Sequence, residues 1–251
     1  MATRPAFSPS AAWDEVNATL RAELRLLVAI AGAFFLLPAV LVDYIVPDPE
    51  GLTSFAQLVE AVRPHLHWFL LLSLVQYIGQ LAILALILSP ERLTVGGAIG
   101  RGFQLLPFYF LLSICTNVLT GLGLLLLIVP GLWLIARLSA TGPVLVAEGA
   151  RWPFPVIARG FALTKGNALP IFAFLFIVAM IYLLISVVVS LVFGAALGMA
   201  GLGMTEREAG ATILSILGGI VSAAGATIFT LMSIAIYRQL GGEPRAARVF
   251  S

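Results

Sequence analysis

A single arginine, Arg137, stands inside the apolar stretch LLLLIVPGLWLIARLSATGPVLVAEG, residues 124–149. A charged side chain in such a setting is costly unless it faces protein, water or a lipid headgroup, which makes it a candidate for function. Glu148 follows eleven residues later, about three helical turns, and so lies on a similar face of the predicted helix. One alternative stays open: if the span begins at Gly131, Arg137 lies near the outer interface and can extend to it.

Uncharged polar residues interrupt the other apolar runs. Gln80, Asn117 and Tyr182 each stand on a polar stripe of a different run. Counted in from the membrane surfaces, Gln80, Arg137 and Tyr182 fall at comparable depth, so these groups could converge on a central polar site. The alternative is ordinary hydrogen bonding between helices, at about 1–2 kcal/mol or less per contact.

Motifs of catalysis and of metal or nucleotide binding are missing from the sequence. It has no GxSxG, P-loop, HExxH or CxxC motif, and its single cysteine is Cys115. His65 and His67 form an H-x-H pair at one end of an apolar run, where interfacial histidines are far commoner than metal ligands. The sequence therefore predicts a protein that is not an enzyme, with no metal and no cofactor.

Composition indicates a polytopic membrane protein. Of 251 residues, 61% are hydrophobic and only 10% are charged, which is too few to cover a soluble surface. The net charge of +2, without a basic block, predicts no nucleic-acid partner. We predict an all-α fold in a single transmembrane domain over 1–251. Runs of bilayer-spanning length predict about six transmembrane helices, at about 26–46, 68–88, 105–121, 122–147, 168–199 and 211–237.

Basic residues cluster at one end of the predicted spans. If the N-terminus is cytoplasmic, eleven Arg and Lys residues lie on the inner side and two, Arg63 and Arg207, lie on the outer side. The bias predicts that both termini are cytoplasmic. Before the first span, residues 8–25 predict an amphipathic helix, capped by Ser8, that could lie on the membrane or simply extend the span.

An element with the sequence Arg-Gly-Phe occurs twice. AIGRGFQL, residues 98–105, matches VIARGFAL, residues 156–163, and each copy precedes a proline and an aromatic-rich run. Both copies follow a span that runs inward, so we predict a parallel internal repeat of span, basic amphipathic surface helix and span. The surface helices are predicted at about 94–104 and 153–165. Four residues in or beside them are candidates to contact lipid headgroups or a partner: Arg101, Arg159, Lys165 and Asn167.

Small residues recur every four positions in the last two spans. Gly194 and Gly198 form a GxxxG motif, and Gly218 and Gly219 begin two similar rows. Such rows let helix backbones approach closely. They predict close packing, either within one chain or in self-association or contact with other membrane proteins.

The segment VPGLWLIARLSATGPVLVAEGARWPFPVIARGFALTKGN, residues 129–167, resembles the membrane domain attached to some bacterial glycerophosphodiester phosphodiesterases and the stand-alone YciC-type inner-membrane proteins. Gly160 departs from the family pattern, in which serine is commoner. The resemblance implies six membrane helices in a bacterial inner membrane and no established activity. The catalytic barrel of those phosphodiesterases has no counterpart in this sequence. The matching positions are Pro130, Gly131, Arg137, Pro143, Glu148, Arg159, Leu163, Thr164, Gly166 and Asn167.

Two functions follow as hypotheses. The first is an accessory or interaction role in the cell envelope, with the basic cytoplasmic helices engaging anionic phospholipid headgroups; its partners would be membrane lipids. The second is a transporter or lipid translocator with a polar central site around Arg137.

Overall fold

The computed structural model describes residues 6–45, 54–91, 93–199 and 207–241, and within these ranges the chain is helical, without strands. A π-helical segment, Gly32–Leu36, joins α1 to α2, and a short 3-10 turn, Arg63–His65, joins α3 to α4. The α-helices are α1 (Pro9–Ala31), α2 (Leu37–Ile45), α3 (Phe55–Val62), α4 (Leu66–Leu88), α5 (Val95–Leu126), α6 (Ile128–Leu138), α7 (Thr141–Glu148), α8 (Pro153–Leu163), α9 (Ala168–Met199) and α10 (Arg207–Gln239).

Six helical stretches of the described chain are long and apolar enough to cross a bilayer. The prediction of an all-α polytopic membrane protein is thereby confirmed. The stretches are Pro9–Ile45, Val59–Leu88, Val95–Leu126, Val129–Glu148, Ala168–Met199 and Thr212–Gln239. Some residues behind the predicted orientation lie outside the described ranges: Arg4, Asp48, Glu50, Arg92, Glu206, Arg245 and Arg248.

The core of the bundle lies along α4, α10 and the α6–α7 stretch. In their most apolar parts 44%, 56% and 56% of residues are buried, against 17% in α5 and α9, which are therefore peripheral. Leu81, Ile83 and Leu84 of α4 are fully buried, as are Ile236 and Tyr237 of α10. The exposed aliphatic side chains of α9 have the composition of a lipid-facing surface.

The N-terminal helix and the first span form one bent element. Ser8 accepts a hydrogen bond from Ala11 N and caps α1, as predicted, and the helix kinks at Glu23 (φ −115°, ψ 18°). Before the kink, Ala12 and Val16 are buried in the core instead of facing lipid. This end of α1 therefore packs across the bundle end.

The predicted surface helix at 94–104 does not form a separate element. Thr94 accepts a hydrogen bond from Gly97 N, and α5 then runs without a break to Leu126, with Pro107 inside it. The helix packs antiparallel against α4 from its first turns onward. The second copy differs because it has five more residues before its proline: α8 ends at Leu163, Gly166 adopts a positive φ of 88°, and α9 begins at Ala168.

The predicted boundary between spans 105–121 and 122–147 is wrong. Residues 122–126 belong to α5, and the chain reverses at Leu127, whose backbone is extended (φ −161°, ψ 141°). The helices α5 and α6 then pack as a hairpin in which Gly123 meets Gly131. A Cβ at Gly131 would lie 2.7 Å from the backbone nitrogen of Leu124. A second break, at residues 139–140, separates α6 from α7, so the fourth span consists of these two helices.

The glycine of each Arg-Gly-Phe copy occupies the same kind of position. A Cβ at Gly102 would lie 2.9 Å from the carbonyl oxygen of Ile78 on α4, and a Cβ at Gly160 would lie 2.8 Å from Thr141 Cγ2 on α7. In both copies the helix therefore touches the preceding span through its glycine. This shared contact favours the predicted repeat, even though the two copies end differently.

We expect Gly102→Ala to lower the free energy of unfolding by about 1–3 kcal/mol, because the added methyl group must displace α5 from α4. Gly100→Ala is the matched control, since no atom lies within 4 Å of its Cβ position. That change should be neutral or stabilise the helix by up to about 1 kcal/mol. Thermal unfolding of both variants in detergent measures the difference, and equal melting temperatures would contradict the close contact.

The small-residue rows separate into two groups. Gly219 packs within the chain, because a Cβ there would lie 2.8 Å from Leu36 Cδ1 and 3.0 Å from Val40 Cγ2. Gly194, Gly198 and Gly218 have no atom within 4 Å of their Cβ positions. Self-association through these three glycines stays a prediction, and Gly219 is used inside the bundle.

Candidate functional site

The guanidinium of Arg137 lies in an aromatic corner near the end of α6. Its Cζ is 5.2 Å from the ring centroid of Trp133 and 4.9 Å from that of Phe161. The two rings are tilted by 58° with centroids 5.9 Å apart. Trp133 is one turn before Arg137 on α6 and so lies on the same helix face. These contacts hold the cation and leave its charge in place, because a ring face attracts a cation without neutralising it.

Arg137 is buried without a counter-ion. Only 8% of the residue is exposed, and its Nε has no hydrogen-bond partner. In the described part of the chain no acidic side chain forms an ion pair with it. A mostly buried Arg side chain without an ion pair is unfavourable, so within the described part of the chain this position is suited to a bound anion.

The backbone around Arg137 is fixed by the joint between α8 and α9. The Thr164 hydroxyl lies within hydrogen-bond distance of the carbonyl oxygens of Arg137 (3.2 Å) and Gly160 (2.8 Å). Thr164 is fully buried. Gly160 permits the approach, because any Cβ there would press on Thr141. A serine at position 160 would thus require Thr141 to shift in this chain.

A cleft opens beside Arg137, between α6 and the start of α9; we call it the Arg137 pocket. Its volume is about 600 Å³. Two cationic side chains line it, Arg137 and the exposed Lys165, and the remaining surface is almost entirely apolar. The pocket is lined by Val129, Leu132, Trp133, Arg137, Lys165, Gly166, Ala168, Leu169 and Phe172.

The N-terminus of α9 adds to the positive character of this pocket. Ala168 and Leu169, the first residues of α9, are part of its lining. The first N–H groups of a helix lack partners within the helix, and the helix dipole is positive at this end. Gly166, with its positive φ, makes the turn that brings Lys165 and the helix start to the same cleft. Arg137, Lys165 and α9 therefore all favour an anion.

Arg159, a predicted headgroup contact, is already paired. Its Nε donates to both carboxylate oxygens of Glu148, at 3.0 and 3.1 Å, and the Tyr237 hydroxyl donates to the same carboxylate at 3.4 Å. The Glu148 side chain is 12% exposed and that of Arg159 is 36% exposed. This pair ties α7 to α8 and α10. Glu148 therefore interacts with Arg159, and Arg137 lies apart from both.

We expect Glu148→Gln to destabilise the protein by about 1–3 kcal/mol, between the values for exposed and buried pairs, because it leaves the Arg159 guanidinium half-buried without its carboxylate. Glu15→Gln is the matched control, since Glu15 pairs with Arg238 at 3.1 Å in a more exposed setting. Its effect should stay under about 1 kcal/mol. Chemical denaturation in micelles can compare the two, and a larger loss for Glu15→Gln would refute this ranking.

The other two predicted headgroup residues, Asn167 and Arg101, do not line the Arg137 pocket. The Asn167 Oδ1 accepts a hydrogen bond from Phe7 N at 3.0 Å, which fastens the N-terminal segment to the start of α9. Arg101 is exposed on α5 and lines a separate surface cleft with Glu91 and Gln104. Of the four predicted headgroup residues, only Lys165 lines the Arg137 pocket.

Three residues of the predicted central polar site, Gln80, Asn117 and Tyr182, do not line the Arg137 pocket. Gln80 accepts a hydrogen bond from the Tyr109 hydroxyl at 2.9 Å, and Tyr182 packs against Gly225 and Phe229. Asn117 belongs to a different cavity from that of Arg137. This cavity, of about 210 Å³ between α4, α5 and α7, is lined by Tyr77, Tyr109, Leu112, Ser113, Thr116, Asn117 and Thr141.

Sequence reasoning missed the aromatic partners of Arg137. The spacing of Trp133 and Arg137, four residues apart on one helix, was a signal for the first contact. Phe161 carried no such signal, because its approach depends on how α8 packs against α6. Comparison with known proteins gives no further assignment: no family model matches the chain, and no solved structure matches it.

Proposed function

We propose that this integral membrane protein binds an anionic phospholipid in the Arg137 pocket, as an accessory component of the cell envelope that is not an enzyme. The observation that carries the proposal is the mostly buried Arg137 side chain, which lines an open cleft, has an Nε without a hydrogen-bond partner and has no acidic partner among the described residues. A bilayer supplies anions of one abundant kind, phosphate headgroups, and basic pockets between membrane helices are suited to them.

The position of the pocket favours a lipid as its ligand. Its cationic part lies at the α8–α9 joint, at the end of the bundle where Phe7, Gln239 and Asn167 meet. Its walls continue along α6 and α9 as apolar side chains, including Leu132 and Phe172. A headgroup phosphate could contact Arg137 and Lys165 while an acyl chain lies along these walls. With the predicted orientation, this end faces the cytoplasm in a bacterial inner membrane.

The lining of the pocket favours binding over catalysis. Its described residues include no His, Ser, Asp, Glu or Cys, and its one residue of a type that can act as a base or nucleophile, Lys165, is exposed and so favours the charged form. The lipid contact therefore differs from the one predicted from the sequence. Arg159 pairs with Glu148 and stabilises the fold, whereas Arg137 lines the pocket together with Lys165.

Arg137→Gln tests this proposal. The change removes the charge and leaves a shorter polar side chain, so we expect the affinity for phosphatidylglycerol to fall by about 10-fold or more, the value of a charge-assisted hydrogen bond. Native mass spectrometry of lipid adducts measures it. Arg101→Gln is the matched control, with the same charge change on an exposed residue. If both variants bind like the parent protein, the pocket is not the lipid site.

A transport function remains the second candidate, and the 210 Å³ polar cavity favours it. Ser113 and Thr116 hydroxyls donate to backbone carbonyls of α5, and Asn117 is exposed beside them, so this part of a membrane helix offers polar groups to a solute or to water. In a Cys115→Ser background, Asn117→Cys should react with a membrane-impermeant thiol reagent if the cavity conducts. Failure to react from either side of the membrane would exclude this function.

A further inference from the structure

The Arg137 pocket carries more positive charge than the single negative charge of an ordinary phospholipid headgroup can neutralise. Two cationic side chains line it, Arg137 and Lys165, and none of its described lining residues is acidic. The N-terminus of α9 adds partial positive charge. A phosphodiester headgroup such as that of phosphatidylglycerol brings one negative charge, whereas a phosphate monoester brings about −1.5 to −2 at neutral pH.

We infer that the pocket selects lipids whose headgroup is a phosphate monoester, the chemistry of phosphatidic acid, over phosphodiester lipids. The inference rests on the proposed lipid site and names its ligand class. A diester brings one charge, which Arg137 can pair, whereas the second charge of a monoester can also attract the exposed Lys165, at about 1 kcal/mol near the membrane surface.

The number of phosphate oxygens points to the same class. Trp133 and Phe161 occupy one side of the Arg137 guanidinium, and Thr164 closes the α8–α9 joint behind its backbone. A monoester has no further group beyond its phosphate. It therefore offers three terminal oxygens to the Arg137 and Lys165 donors, whereas a diester offers two. Arg suits this contact because its planar N–H groups match phosphate oxygens in pairs.

The selectivity should depend on pH through the ligand. A phosphate monoester loses its second proton near pH 6, whereas a diester keeps one charge throughout the range from 5 to 8. Because cations favour the dianion, binding of the monoester should strengthen as pH rises through 6, and binding of the diester should not. The charged groups on the elements around the pocket are Arg137 on α6, Lys165 before α9, the Glu148–Arg159 pair between α7 and α8, and Arg101 on α5.

The experiment compares dioleoyl phosphatidic acid, phosphatidylglycerol and phosphatidylcholine, each in mixed micelles with the full chain, by native mass spectrometry at pH 5 and pH 8. At pH 8 we expect phosphatidic acid to bind about fivefold more tightly than phosphatidylglycerol, the effect of one additional ion contact. At pH 5 the two should bind alike. Lys165→Gln should reduce the affinity ratio of phosphatidic acid to phosphatidylglycerol at pH 8 to near one. Because Lys165 is exposed, we expect this variant to fold like the parent protein.

The outcomes separate the inference from the proposed function. Equal binding of both anionic lipids at pH 8, with both weakened by Arg137→Gln, overturns the headgroup preference and leaves the lipid site. Binding of neither above phosphatidylcholine overturns both. Inorganic phosphate serves as the soluble probe: if it displaces phosphatidic acid at equal concentration, the ligand is a free phosphate and the lipid assignment is wrong.

Discussion

Gly131→Val should open the α5–α6 hairpin and cause the largest loss of stability among the changes considered, about 3 kcal/mol or more. A Cβ at this position would lie 2.4 Å from Leu124 Cγ and 2.7 Å from the Leu124 backbone nitrogen. A side chain can rotate away, but a helix backbone has to move as a unit. Since α6 carries Trp133 and Arg137, the displacement should also disturb the pocket. Thermal unfolding in detergent measures the loss.

Gly121→Val is the control for Gly131→Val. Gly121 lies on α5 near the same hairpin, and no atom lies within 4 Å of its Cβ position. We expect this variant to unfold within a few degrees of the parent protein, since only helix propensity changes. If Gly131→Val melts together with Gly121→Val, α5 and α6 are not in close backbone contact.

Arg137→Met should have opposite effects on stability and on binding. Without anionic lipid, we expect the variant to be more stable than the parent protein by about 1–3 kcal/mol, because a well-packed apolar side chain replaces a buried charge that lacks a partner. Methionine also keeps a favourable contact with the rings of Trp133 and Phe161. With anionic lipid, the parent protein should gain stability by mass action and the variant should not. Melting curves with and without the lipid provide both values.

Arg101→Met is the control for this pair of effects. Arg101 is exposed, so its replacement should change neither the melting temperature without lipid nor the stabilisation by lipid beyond what the surface charge contributes. A parent protein that gains no stability from anionic lipid would contradict the proposed site. A less stable Arg137→Met variant would show that the guanidinium is structural.

Pro107 and Pro170 show how far the repeat could be predicted from the sequence. Both prolines follow an Arg-Gly-Phe element, and the sequence predicted a surface helix before each. Pro107 lies inside the continuous helix α5, and Pro170 lies in the first turn of α9, where a proline fits without loss of a helix hydrogen bond. The residues that separate the two outcomes are Thr164–Asn167, where Gly166 has a positive φ. Similar motifs therefore gave different local structures.

The lipid contacts predicted from charge alone show the same limit. Lys165 and Arg159 are six residues apart, yet one lines a cleft and the other pairs with Glu148 on a different helix. Arg101 is followed by the same Gly-Phe pair as Arg159 and is exposed. Charge and amphipathicity describe which residues can reach a surface. They do not describe which acidic residue a neighbouring helix presents there.

The sequence by itself determined that this chain is a bundle of about six membrane-crossing helices, because a bilayer requires apolar runs of a set length and their composition is read without knowing any contact. It also singled out Arg137, since a charge in such a run is exceptional. Only the tertiary structure decided what surrounds that charge. Whether the guanidinium meets Glu148, another polar span or an open cleft depends on the packing of α6 against α8 and α9. Gly160 and Thr164 bring these helices together through contacts between residues far apart in the sequence, which no local sequence pattern reveals.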